Sequence, residues 1–258
     1  MYTQLAFTFD RVKELAPQHP EWRLKQPYKG VLEHDVKAIG AMGSKELLEI
    51  VLVTHTGMTA KAFEHDVLDW LQHAKHPRFQ RLYTELIYQP QLELLAYLRD
   101  HGFKNFIVSG GGTGFMRPVS EQIYGIPPEQ VFGSNVVSEF VMKDGVYKLM
   151  RMPKMRFVND KADKVVGIYE HIGRRPILAF GNSDSDMQMI AYTKAGKGLS
   201  LALFVHHTDA KREFSYDRKS HVGKLDKVLN IATQHDWIVV DMQKDWQVVF
   251  PFERIQQE

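Results

Sequence analysis

Apolar residues recur at helical spacing over the first 85 positions of the chain. Leu5, Phe9, Val12 and Leu15 fall at i, i+4, i+7 and i+10, and Phe63, Val67, Leu68, Trp70 and Leu71 form a second stripe. Strand-like alternation does not occur in this stretch, so the pattern predicts packed helices whose aromatic stripes face a helical core. Thr59 ahead of Ala60-Lys61-Ala62 reads as the cap of the second helix, and His76-Pro77 reads as its stop.

Beyond residue 85 short apolar runs alternate with amphipathic ones. Pro90 opens a helix carrying Leu92, Leu95 and Leu98 that ends near Gly102. Asn105-Phe106-Ile107-Val108 predicts a buried strand, followed by the glycine run Gly110-Gly111-Gly112 and a helix through Met116 to Tyr124. Val131 to Met142 and Val146 to Met150 flank Asp144-Gly145, a hairpin turn signal. Then follow a helix from Lys164 to Ile172, a strand from Pro176 to Phe180, a helix through Met187 and Met189, and a strand from Leu201 to Val205. A helix from Leu225 to Ile231 and a strand from Trp237 to Val240 complete the order. Strands alternating with helices at this spacing predict an α/β fold with a mainly parallel sheet, whose ligands bind beyond the carboxyl ends of the strands. The predicted division is a helical segment over 1–85 and an α/β core over 86–258, with a β-hairpin insertion near 133–152.

Composition narrows the chemistry. The 258 residues include 33 basic and 31 acidic side chains, a net charge of +2, which gives no reason to expect nucleic acid or an anionic membrane as partner. The absence of cysteine removes disulfides, thiolate zinc sites, iron–sulfur clusters and cysteine nucleophiles, and leaves the redox compartment open. The longest apolar runs, Ile177 to Phe180 and Leu201 to Val205, are strand-sized, far short of the roughly 20 residues that span a bilayer. Met1-Tyr2-Thr3-Gln4-Leu5 carries no export signal, so a cytoplasmic location is the default expectation, and nothing in the sequence sets an oligomeric state.

Three places carry candidate chemistry. At the end of the first predicted strand, Ser109 and the N–H groups of Gly110 and Gly111 can hold an anion, aided by the positive end of the following helix. The dinucleotide fingerprint fails because Phe115 stands where its third glycine belongs, and no Gly-Lys-Ser/Thr follows as a phosphate-loop NTPase requires. After the strand ending at Phe180, the loop Gly181-Asn182-Ser183-Asp184-Ser185-Asp186 offers hard oxygen donors of the kind magnesium takes, from Asn182, Asp184 and Asp186. Between them Lys164 opens a helix from which its point charge can reach a phosphoryl oxygen, with Lys161 a rival for the same task.

In this order, Ser-Gly-Gly at a strand end, then lysine, then Gly-Asn-Ser-x-x-Asp, the chain resembles the haloacid dehalogenase superfamily, particularly its phosphoserine-phosphatase-like branch, over about residues 86–258. The resemblance implies a Rossmann-like core with a helical cap, here residues 1–85. It also implies a magnesium-dependent phosphatase that acts on a small phosphorylated molecule through an aspartyl-phosphate intermediate. Ser109 would bind the transferred phosphoryl group beside the Gly110 N–H, and Lys164 would be the lysine of the third motif of such sites. Asn182 would take the direct metal-ligand position, and Asp186 would hold a metal-bound water. His206-His207-Thr208-Asp209 would lie near the same rim, and Arg117 is an outside candidate for anion contact.

One departure stands against this match. Such phosphatases begin with a strand ending in Asp-x-Asp, nucleophile then general acid. Before Ser109 the aspartates are Asp10, Asp35, Asp66, Asp69 and Asp100, and none has an acid two residues later. Leu5 to Asp10 looks superficially like such a strand, but Arg11 and Val12 follow. The expectation is therefore that the first core strand is missing, having lain upstream of Met1, and that the chain as given is nearly inactive. Loss of a central strand would leave its neighbours with unpaired backbone groups, a cost of several kcal/mol against a typical total of about 5–15. The alternatives are a non-catalytic phosphate-binding protein that has lost its nucleophile, and a haloacid dehalogenase, which would not need magnesium.

Overall fold

Helices dominate residues 3–73, as the apolar spacing predicts. The computed structural model describes residues 3–256, with side chains from 3 to 253. Helices α1 (Thr3–Leu15), α2 (Tyr28–Leu32), α3 (Val36–Gly40), α4 (Ser44–His55) and α5 (Ala60–His73) come first. Helix α5 begins where Thr59 Oγ1 accepts from Ala62 N at 3.0 Å, and its buried face is Phe63, Val67 and Leu71, three successive turns of one stripe.

Strands and helices then alternate: α6 (Gln89–Asp100), β1 (Ile107–Gly112), α7 (Thr113–Tyr124), β2 (Val131–Lys143), β3 (Val146–Phe157), α8 (Ala162–Ile172), β4 (Leu178–Gly181), α9 (Met187–Lys194), β5 (Leu201–His206), α10 (Lys227–Ile231), β6 (Ile238–Asp241) and α11 (Met242–Asp245). The mixed α/β character expected from the sequence is present, with one sheet ordered β1-β2-β3 and a second ordered β4-β5-β6. Strands β4, β5 and β6 are parallel, and β2 and β3 form an antiparallel hairpin. The hairpin turns at Asp144 and Gly145, both with positive φ, as the Asp-Gly signal predicts.

The first predicted strand runs on past Val108. Gly110, Gly111 and Gly112 extend β1, and the change of direction comes at Thr113. The physical reason is a distant side chain: Gly112 N donates to Gln4 Oε1 at 2.8 Å, and a Cβ on Gly111 would stand 2.6 Å from Gln4 Nε2. Glycine is required there because the amide of α1 lies against bare backbone.

Two compact units make up the chain, one of residues 3–74, 111–118 and 134–157, the other of 75–110, 119–133 and 158–256. In the first, Val12, Trp22, Tyr28, Val31 and Ile50 form a core, and Phe7 lies within 6 Å of the rings of His55, Phe63, Trp70 and Phe115. In the second, Phe132, Ile168, Ile190, Phe204, Val228 and Trp237 bury the apolar faces of the parallel sheet and of α8, α9 and α10. Each such side chain contributes about 1.5–3 kcal/mol by leaving water. The buried face of α8 is Lys164, Gly167 and Ile168, so a charged residue shares the core-facing stripe of an otherwise amphipathic helix. Among the described residues no helix is long and apolar enough to cross a membrane.

Candidate active site

Within the second unit, three connections meet. Strand β1 delivers Ser109, the segment after β3 delivers Asn159, and β4 delivers the loop that starts at Asn182. Asn159 is fully buried and donates from Nδ2 to the Ser109 carbonyl at 2.9 Å, so the Ser109 backbone is fixed to the segment that leads into α8. Gly167 allows this, since a Cβ there would sit 2.9 Å from Asn159 Oδ1.

Five residues after Asn159, Lys164 is 5% exposed, and its Nζ lies 2.5 Å from Asp186 Oδ1. Lys161, the rival, is exposed at the helix start with φ of 51°, and it is Lys164 that reaches the acidic loop. The other oxygen of Asp186 accepts from Asn182 N at 3.0 Å, Ser183 N at 3.1 Å and Ser183 Oγ at 3.1 Å. A carboxylate so placed closes its own loop and neutralises the lysine, which is what keeps two buried charges affordable. The loop folds back this tightly because residue 181 is glycine: a Cβ there would meet Asp186 Cβ at 2.5 Å.

Not all candidates join this group. Asp184, read from the sequence as a possible oxygen ligand, instead accepts from the backbone N–H groups of Asp226, Lys227 and Val228 at 3.0–3.2 Å and caps the start of α10. Gly110 follows Ser109 in the second unit, with its Cβ position 3.7 Å from the Asn159 carbonyl. Gly111 and Arg117 belong to the first unit; Arg117 is exposed, one turn into α7. Asp10 lies in the middle of α1, not at a strand end, where Trp70 Nε1 donates to it at 3.0 Å and Lys13 pairs with it at 2.9 Å.

Of the segment His206-His207-Thr208-Asp209, one residue reaches the group. His207 is 3% exposed, with Nε2 at 3.4 Å from Asn182 Nδ2 and Nδ1 at 3.3 Å from Glu213 Oε2. Burial pulls the His207 pKa down against the opposing pull of Glu213, so its ring is neutral. Burial would raise the Glu213 carboxyl, but the hydrogen bond from His207 holds it below its ordinary value. His206 pairs with Asp217 at 3.2 Å, Thr208 donates to Asp241 at 2.6 Å, and Asp209 accepts from Arg212. Sequence reasoning missed Asn159 and Glu213. Neither belongs to a recognisable motif, and their burial is set by residues distant in sequence.

Among the described residues no three acidic or histidine side chains converge in the manner of a complete metal site. The donors that are present fit part of a magnesium shell, which takes one or two protein oxygens and fills the rest with water and phosphoryl oxygens. Asn182 Oδ1 makes no hydrogen bond among the described residues and is available as a direct oxygen, while Asp186 could hold a metal-bound water.

No functionally curated protein matches the chain in sequence. A solved structure, a phosphoserine phosphohydrolase-like protein from Francisella tularensis subsp. tularensis, is similar over 89% of this chain and 86% of that one, with 16% identity and a TM-score of 0.42. The profile of the haloacid dehalogenase-like hydrolases matches residues 7–191, more than half of the 258 residues, and the chain belongs to that family.

Proposed function

We propose that the chain is a phosphatase-type member of its family whose second unit holds the phosphoryl group of a small phosphate monoester. The observation that carries this reading is the buried Lys164–Asp186 pair, with Asn182 and Ser109 fastened to the same two connections. Ser109 would donate from its hydroxyl to a phosphoryl oxygen, with the Gly110 N–H beside it. Lys164 would supply positive charge from a position it cannot leave. Asn182 and Asp186 would hold magnesium, whose charge would offset that of the phosphoryl oxygens.

The reading assigns no nucleophile among the described residues, because Asp10 is committed to Trp70 and Lys13 on a helix. The same observation favours the second reading, a protein that binds a phosphorylated ligand without turning it over.

The test uses the full chain. Inorganic phosphate binding followed by calorimetry should weaken by about tenfold or more in Ser109→Ala, the loss expected for one hydrogen bond to a charged group. Hydrolysis of p-nitrophenyl phosphate with magnesium should not rise above background. Equal phosphate affinity in the two proteins would overturn the phosphoryl role of Ser109, and robust turnover would overturn the expectation of inactivity.

A further inference from the structure

A buried histidine–glutamate pair stands directly behind Asn182. Glu213 is fully buried and His207 nearly so, and the imidazole is stacked on Tyr216 with ring centres 4.3 Å apart and planes within 17°. Tyr88 lies on the ring at 5.7 Å, and Tyr216 N donates to the His207 carbonyl at 3.0 Å. The plane of the imidazole is thus set by packing before its hydrogen bonds are counted.

Those hydrogen bonds admit one arrangement of protons. Asn182 Nδ2 carries only hydrogens and can only donate, so His207 Nε2 must accept and be unprotonated. The neutral ring then carries its proton on Nδ1, the atom that faces the Glu213 carboxylate, which can only accept. Each link fixes the next: carboxylate, then tautomer, then amide. With its nitrogen held by His207, the Asn182 amide presents Oδ1 on its other side, and that oxygen makes no hydrogen bond among the described residues. Were the ring protonated on Nε2, the amide would turn over to accept from it, and a nitrogen would replace the oxygen.

We infer that His207 and Glu213 are a positioning pair that holds the Asn182 side chain with its oxygen turned outward as a ligand for a hydrated divalent cation. The cation part rests on the function proposed above, whereas the orientation does not. Partners behind a ligand commonly tune affinity by about ten- to a hundredfold without touching the ion.

The experiment is proton-detected nitrogen NMR of the full chain labelled uniformly with 15N, the His207 signals being assigned by their loss in His207→Gln. In the unaltered protein Nδ1 should be protonated and Nε2 bare. Glu213→Gln should move the proton to Nε2 in a substantial fraction of molecules, and magnesium alone, titrated against the Asn182 side-chain amide signals, should bind about tenfold more weakly. Because Glu213 is buried, Asn182→Asp serves as a second variant: a carboxylate opposite Nε2 should draw the proton onto that atom. An Nε2-protonated ring in the unaltered protein, or a tautomer unmoved in Asn182→Asp, overturns the inference. The expected tautomers with no magnesium response in any variant support the positioning pair and overturn only the metal assignment.

Discussion

Replacing His55 by glutamine is expected to flatten the pH dependence of stability between pH 6.5 and 3. His55 is buried at the end of α4, with Thr54 Oγ1 at 2.7 Å from its Nδ1 and the rings of Phe7 and Phe63 at 5.5 and 4.8 Å. Burial, and then the charges of Arg151 and Arg11, lower its pKa from 6.5 to about 3. A histidine depressed in this way is neutral in the folded chain, while the unfolded chain takes up a proton as pH falls through 6.5. The stability it confers is complete above pH 6.5 and is lost progressively as pH falls toward 3. The slope is about 1.4 kcal/mol per pH unit, and the total is roughly 3–6 kcal/mol. Urea unfolding at pH 7, 6, 5 and 4 checks this. The variant should be less stable at pH 7, and its deficit should shrink by about 2 kcal/mol by pH 5. Parallel curves for the two proteins would show that His55 is not the group responsible.

Asp186→Ala should be the most damaging single change in the second unit. Lys164 and Asp186 are each 5% exposed, and removing the carboxylate leaves a buried ammonium without its partner, a change that costs about 3–5 kcal/mol. It also strands the N–H groups of Asn182 and Ser183 and the Ser183 hydroxyl. Lys164→Met leaves the carboxylate with those three donors, so it should cost less. In the Asp186→Asn background, Lys164→Met should cost less still, by at least about 1 kcal/mol, because the attraction it removes is already gone. A fall in urea midpoint with an unchanged slope would identify the loss as one of stability. Additive effects of the two substitutions would mean that the contact at 2.5 Å carries no coupling.

How far the sequence speaks depends on the range of the interaction. Helices α1 and α5 and the hairpin at Asp144-Gly145 are written in local spacing: Phe63, Val67 and Leu71 repeat at the pitch of one helix, and Asp-Gly suits the positive φ of one turn. Lys164 and Asp186 can be singled out by order along the chain, since the lysine precedes the Gly-Asn-Ser-x-x-Asp loop in the order that carries the resemblance. Their contact cannot, because it depends on α8 being packed against α9, the helix that follows the loop. Gln4 and Gly112 are 108 residues apart, so the extended form of the glycine run could not be foreseen from local rules. Glu213 looks like one more surface acid in a charged stretch, and only the closure of its loop over His207 makes it fully buried. Asp184 had the right chemistry for a ligand and also for a helix cap, and three backbone donors at the start of α10 decide for the cap.

Helix α8 has a consequence of a different kind. Lys164 sits three residues from Gly167 and four from Ile168, on the same buried stripe. The phase of the charge relative to Asp186 is therefore locked to the phase of the hydrophobic anchor. One residue inserted between Lys164 and Ile168 would rotate them apart by about 100°, so that either the anchor leaves the interior or the ammonium leaves the carboxylate. Loops ahead of this helix can change length over evolutionary time, but the helix cannot slip, and the positions of charge and core will be inherited together as one unit.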